Sequence, residues 1–171
     1  MIELWLSHSP DVRGLARHAL GDLTIERDPA GKPYVTGGPH ISLAHTRTAS
    51  AVAVSTLGPV GVDLEPDRNL PTAALADHWF SPPEAEWVAL HPNDFLPLWT
   101  LKEAVGKALG RGLRGGGLRR PMPLPPPDSL ARLCHVVQDI VVAAGRHGDL
   151  IVAIACAELS ALDTPIAITL V

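Results

Sequence analysis

Two short segments, Gly61-Val62-Asp63-Leu64-Glu65 and Trp99-Thr100-Leu101-Lys102-Glu103-Ala104-Val105-Gly106-Lys107, hold the residues of this chain best suited to chemistry. Three carboxylates and two lysines suit the meeting of a divalent metal with a phosphate. Hard cations such as magnesium take oxygen ligands, usually a few carboxylates plus substrate phosphate, with water completing the octahedron. In a strand, alternate residues share a face, so Asp63 and Glu65 project together while Val60, Val62 and Leu64 point into a core. In a helix, residues four apart stack, so Trp99, Glu103 and Lys107 line up, and Gly106 leaves bare backbone that a ligand can approach. Asp63, Glu65 and Glu103 are the candidate metal ligands, and Lys107 is a candidate phosphate ligand.

The elements that must position these residues can be read from pattern. Ile2 to Leu6 reads as a first strand, and Pro10 to Leu20 as a helix closed by Gly21. After the turn-rich Asp28 to Pro33 come two β-like runs, Ile41 to His45 and Ala49 to Thr56, joined as a hairpin. Gly58-Pro59 punctuates the chain before the acidic strand Val60 to Glu65. Pro71 to Trp79 and Pro83 to Leu90 read as short helices with proline near their starts. Asn93 or Asp94 can cap the helix that carries Glu103 and Lys107 and runs to about Leu109. Its apolar stripe, Leu98, Leu101, Val105, Ala108 and Leu109, turns the Glu103/Lys107 side away from the core and leaves it open to a ligand. Five prolines among the seven residues from Pro121 to Pro127 predict an irregular crossing. Val136 to Ala144 and Asp149 to Ala157 read as strands around Gly145 to Gly148, with Ile166 to Val171 as a third. The runs Ala51 to Ser55 and Ile151 to Ala155 echo one another across the chain.

Bulk properties narrow the classes. At 171 residues and 46% hydrophobic content the chain can bury one sizeable core or two small ones, and it is not a disordered protein. No apolar run approaches the roughly 20 residues of a membrane span, and the N-terminal Met1-Ile2-Glu3-Leu4-Trp5-Leu6 lacks the charge and apolar region of a secretory signal, so a cytoplasmic location is expected. Cys134 and Cys156 form no CxxC pair and are read as reduced and structural. A formal charge of −4 argues against binding nucleic acid through a broad basic face. Charge is nonetheless uneven: Arg111, Arg114, Arg119 and Arg120 lie among Gly110, Gly112, Gly115, Gly116 and Gly117, a basic loop that reads either as a solvated connection or as a docking site for an acidic partner. The histidines show no H-x-x-x-H spacing, and no GxxxxGK[ST] or GxGxxG follows a strand.

Taken in order, Gly31-Lys32-Pro33, Ile41-Ser42-Leu43-Ala44-His45-Thr46, Gly61-Val62-Asp63-Leu64-Glu65, Phe80-Ser81-Pro82-Pro83-Glu84 and the run Trp99 to Leu113, of the form W-x-x-K-E-x-x-x-K-x-x-G-x-G-L, resemble the 4′-phosphopantetheinyl transferase superfamily. The Ser-x-x-His motif and the chain length resemble its surfactin-synthetase-activating branch. That resemblance implies an α+β fold of two similar α/β halves related by a pseudo-twofold axis in one monomeric chain, each with a small antiparallel sheet packed on helices. The expected halves are residues 1–57 and 58–171, the second carrying the metal and catalytic motifs. It also implies transfer of 4′-phosphopantetheine from coenzyme A to a serine of an apo acyl or peptidyl carrier protein, with release of adenosine 3′,5′-bisphosphate.

Under the resemblance Asp63, Glu65 and Glu103 hold magnesium or manganese, Lys107 binds the pyrophosphate, and Glu103 or a water on the metal accepts the serine proton. Asp63, Glu103 and Lys107 are then the catalytic set. Lys32, His45, Lys102 and Lys107 are the expected coenzyme A contacts, although Lys102 can equally snorkel from the apolar edge of its helix. Glu84 is an outer metal ligand or simply the first-turn acid of its helix. Arg13 and Arg17 are candidates for the 3′-phosphate. Ala44 stands where many relatives have a serine, which removes one hydroxyl contact to the phosphates. Trp79 and Trp99 are read as packing residues. The shared motifs also fit a non-catalytic coenzyme A or carrier-binding relative, and the acidic cluster fits a magnesium-dependent phosphohydrolase.

Overall fold

The computed structural model describes residues 1–114 and 116–171; the Gly115 of the basic loop lies outside the described residues. The fold is mixed α+β, and two four-stranded sheets carry it. The first sheet begins with β1 (Ile2–Ser7), and α1 (Val12–Leu20) follows, its N-terminus capped by the Asp11 carboxylate, which accepts from the Gly14 N–H. A two-residue ladder, β2 (Glu26–Arg27) with β3 (Pro33–Tyr34), precedes β4 (His40–His45) and β5 (Ser50–Ser55). The second sheet contains β6 (Val60–Pro66), and three helices separate it from its partners: α2 (Thr72–Trp79), α3 (Pro82–Leu90) and α4 (Phe95–Ala108). Strands β7 (His135–Val137), β8 (Ile140–His147) and β9 (Leu150–Cys156) complete that sheet, and β10 (Ile166–Leu170) ends the chain.

Strand order is β10-β1-β5-β4 in the first sheet and β6-β9-β8-β7 in the second. Both repeat one connectivity: a strand, helical structure, then a hairpin whose last strand inserts between the other two, giving β1-β5-β4 and β6-β9-β8. The echoing segments Ala51 to Ser55 and Ile151 to Ala155 are these central strands, β5 and β9.

Alternation along the central strands builds four layers. Ala51 and Ala53 of β5 and Val152 and Ile154 of β9 face one another in a core between the sheets, joined by Leu4, Val62 and Leu64. The opposite faces take the helices: Val52 and Val54 pack against Leu15, Ala16 and Leu20 of α1, and Ala153 and Ala155 join a cluster with Leu98, Leu101 and Val105 of α4.

Several expectations change. The run Val136 to Ala144 is divided, because Gln138 adopts φ 57° and turns β7 back onto β8. Gly145 lies inside β8, and the tight turn falls at Gly148, with φ 60°. Ile166 to Val171 adds no strand to the β8/β9 pair: β10 runs parallel to β1, so residues beyond 58 supply an edge strand to the sheet built otherwise from residues before 57. Asp94 does not cap α4 through its side chain; its carboxylate accepts from Trp87 Nε1 at 2.7 Å. Of the cysteines, Cys156 is buried and Cys134 is exposed, and both are free. No helix among the described residues is long and apolar enough to cross a membrane.

Candidate functional site

Strand β6 is an edge strand whose three inward residues, Val60, Val62 and Leu64, enter the core between the sheets. Gly61, Asp63 and Glu65 therefore share its other face, the one covered by α4. Contact starts at Gly61, where a Cβ would overlap the Ala104 carbonyl oxygen and the Ala108 backbone nitrogen. The missing side chain lets helix backbone lie directly on strand backbone, which carries the next turn of α4 over the acidic pair. Lys107 Nζ reaches Asp63 Oδ1 at 2.7 Å and the Val62 carbonyl at 3.0 Å.

The three expected metal ligands are thus neighbours. Burial pushes the Asp63 carboxyl up from its usual range, against the pull of Lys107. Glu65 is raised by burial and by the charge of Asp63, with Arg68 opposing from 3.2 Å. Glu103 is raised by burial first and then by Asp63 and Glu65. Crowded carboxylates that resist joint ionisation offer oxygen donors to a hard divalent cation, and the donor set fits magnesium or manganese. Among the described residues no three such groups are already drawn into a closed ligand set. Asp63 is turned to the Lys107 ammonium, the counter-charge within reach.

Lys107 also lines a cleft of about 370 Å³ together with Lys32, His45, Arg27, Gly110 and Gly112. Its outer wall is the turn before β3, shaped by the Asp28 carboxylate accepting from the Ala30 and Lys32 N–H groups at 2.9 and 2.8 Å. Lys32 extends from that turn and donates to the Ala108 carbonyl at the end of α4, 3.1 Å away, joining two distant parts of the chain. Burial lowers the Lys32 pKa, partly offset by Asp28. Lys32, His45 and Lys107, far apart in sequence, therefore meet at one cavity.

Lys102 and Glu84 are not there. Instead of binding coenzyme A or snorkelling, Lys102 is completely buried, and its Nζ donates to Glu84 Oε1 at 2.7 Å and to the Arg120 carbonyl at 2.5 Å. Glu84 is correspondingly no neighbour of the acidic cluster. Its second oxygen accepts from the Ser81 N–H and hydroxyl at the start of α3, and Oε1 also takes the Met122 N–H at 3.0 Å. The pair fastens the segment following the basic loop to α3 and α4.

Other expectations are revised by packing. The polar side of α4 is not open, since Lys107 and Glu103 are partly covered against β6. Gly106 offers no backbone to a ligand: its carbonyl accepts from the Arg111 and Gly112 N–H groups, and a Cβ there would overlap the Gly112 carbonyl. Ala44 points into the core between the sheets, so its side chain does not face the cleft. Ser42, two residues earlier, accepts from the Val62 N–H at 3.0 Å and ties β4 to β6. Arg13 and Arg17 do not line the cleft. Arg27 does, and sequence reading passed over it; the signal was its pairing position opposite Pro33 across the turn that presents Lys32. Trp99 packs partly buried against the α4 core, as read, while Trp79 is 42% exposed.

A profile of the 4′-phosphopantetheinyl transferase superfamily matches residues 59–135, the stretch that holds β6, α4 and the basic loop. Over this stretch the chain is similar to the 4′-phosphopantetheinyl transferases. It is 34% identical over 98 residues to a putative 4′-phosphopantetheinyl transferase of Synechocystis, a match covering 52% of this chain and 40% of that protein. Against a 4′-phosphopantetheinyl transferase of Bacillus subtilis identity is 34% over 90 residues, 48% of this chain and 39% of the other. The transferase HetI of Nostoc is 30% identical over 122 residues, 59% of this chain and 51% of its own. The chain spans between about two fifths and one half of the length of these curated relatives.

Proposed function

We propose that this chain transfers the 4′-phosphopantetheine group of coenzyme A to a serine hydroxyl of an apo acyl or peptidyl carrier protein, dependent on magnesium or manganese. One observation carries the reading: three carboxylates and Lys107 meet at the end of a cleft that also presents Lys32 and His45. Cations along a cavity wall bind a pyrophosphate, and Lys107 moves from Asp63 to that anion as substrate enters. Asp63, Glu65 and Glu103 would hold the divalent ion, which when bound neutralises charge on the leaving phosphate. The serine oxygen forms a bond to the β-phosphorus as the bridging P–O bond breaks, and adenosine 3′,5′-bisphosphate departs. The serine proton passes to the Glu103 carboxylate as the oxygen attacks.

The repeated strand connectivity supports two halves, 1–57 and 58–171, related by a pseudo-twofold axis within a monomer, and the two free cysteines fit action in the reducing cytoplasm. Mass spectrometry of an apo carrier protein incubated with coenzyme A and magnesium tests the function. Addition of one phosphopantetheine to the serine is the expected result. Coenzyme A cleaved without label on the carrier identifies a phosphohydrolase, and binding without turnover identifies a non-catalytic relative; either outcome refutes the transferase reading.

A further inference from the structure

Strands β4 and β6 are edge strands of different sheets, and they pack together with no ladder between them. At Val62, whose N–H and C=O turn away from β9, two side chains take the place of a neighbouring strand. Ser42 Oγ accepts from the N–H at 3.0 Å, and Lys107 Nζ donates to the carbonyl at 3.0 Å while holding Asp63 Oδ1 at 2.7 Å. Ser42 lies across from Ala53 of β5, 4% exposed, on the strand face that looks into the core between the sheets. A hydroxyl kept in such a place needs a partner, and the partner here is the residue before Asp63. Ser42 also borders the cleft, on the same strand as His45.

Resting on the function proposed above, we infer that Ser42 is a positioning residue for the transfer: its hydroxyl sets the β4 wall that presents His45 at a fixed distance from the β6 edge that presents Asp63 and Glu65. Phosphoryl transfer depends on placement of the reacting groups far more than on covalent help from the protein. A misplacement of about 1 Å costs on the order of 10²-fold in rate. Gly61 seats β6 on α4 and Ser42 seats it on β4, so the acidic strand is held from both sides. Ser42 acts on alignment and not on the affinity of the cleft. Without its hydroxyl, Lys32, His45 and Lys107 still line the cavity, so the loss falls on kcat and spares the KM for coenzyme A.

Three variants test the inference. Ser42→Ala removes the acceptor, and Ser42→Cys fills much the same space with a weak one. Ser55→Ala is the control, because Ser55 is fully buried, accepts from the Leu57 and Gly58 N–H groups at 3.2 and 3.3 Å and lies outside the cleft. Steady-state labelling of an apo carrier gives kcat and the KM for coenzyme A, and hydrogen exchange of the whole chain follows the amides of residues 60–65. Both Ser42 variants are expected to lower kcat by about 10- to 100-fold, to keep the KM for coenzyme A within about twofold of wild type, and to exchange the 60–65 amides faster. Ser55→Ala is expected to keep the wild-type kcat. A wild-type kcat in either Ser42 variant, unchanged exchange over 60–65, an equal loss of kcat in Ser55→Ala, or a defect confined to the KM for coenzyme A overturns the inference and leaves the proposed function standing. A wild type that labels no carrier overturns both.

Discussion

Replacing Lys102 by methionine removes an ammonium group while keeping a side chain of similar length in a place that no water reaches. The Lys102 side chain is 0% exposed, with Nζ 2.7 Å from Glu84 Oε1, 2.5 Å from the Arg120 carbonyl and 4.8 Å from the centre of the Phe80 ring. Burial pulls its pKa down, and the hydrogen bond and charge of Glu84 hold it up. Breaking a buried pair from one side costs about 3–5 kcal/mol, because the remaining charge is stranded. The two sides are unequal here. After Lys102→Met, Glu84 still accepts from the Ser81 N–H, the Ser81 hydroxyl and the Met122 N–H, so the loss falls near the lower figure of about 3 kcal/mol. Glu84→Leu leaves the ammonium with the Arg120 carbonyl alone and strands the Met122 N–H as well, so the loss approaches about 5 kcal/mol. The double variant carries no buried charge and is expected to cost less than the sum of the two. Urea unfolding followed by tryptophan fluorescence measures all three, and the single changes should lower Tm by about 6–20 °C for a chain of this size. Folded Lys102→Met should still label carrier protein, since its ammonium does not face the cleft. A loss below about 1 kcal/mol for Lys102→Met, or strict additivity in the cycle, would refute the assignment of a stranded buried charge.

Three further outcomes follow from the site. Glu103→Gln should slow carrier labelling by a factor on the order of 10²–10⁴, the usual contribution of a proton acceptor, while its far-UV circular dichroism stays that of the wild type; near-normal labelling would remove Glu103 from the reaction. Because burial raises the Asp63, Glu65 and Glu103 carboxyls, the folded state holds their protons at higher pH than the unfolded chain does. Their stabilising protonation is lost as pH rises from the ordinary carboxylate range through the raised values, so Tm of metal-free Glu103→Gln should gain on the wild type as pH climbs from about 4.5 towards neutrality, and a gap that stays constant would contradict the shift. Gly61→Val drives a side chain into α4 backbone and should cost the top of the roughly 1–3 kcal/mol range for overpacking or more, while separating Lys107 from Asp63; full stability and activity in that variant would mean that the helix does not depend on this contact.

Periodicity and motif spacing alone determined a good deal of this protein. The alternation of Val60 to Glu65 separated a core face from an acidic one, and that division stands, because a strand's side-chain period admits no other solution once Val62 and Leu64 are buried. The turn Asp28 to Pro33 and the helix bearing Glu103 and Lys107 were equally legible, since local hydrogen bonds and a run of helix-compatible residues specify them. Lys102 was beyond that kind of reading: neighbouring Glu103 along α4, it parts from it by a fraction of a turn, and only the arrival of α3 with Glu84 makes burying an ammonium tolerable. The destination of β10 was likewise decided in three dimensions, because a short apolar strand fits any free sheet edge and the edge left open was that of β1. Gly61 and Gly106 carry no side chain from which a role could be read; what they permit, helix on strand and loop on helix, is defined by the backbone that approaches them, and that approach brings Lys107 to Asp63 and the arginine loop to the edge of the cleft.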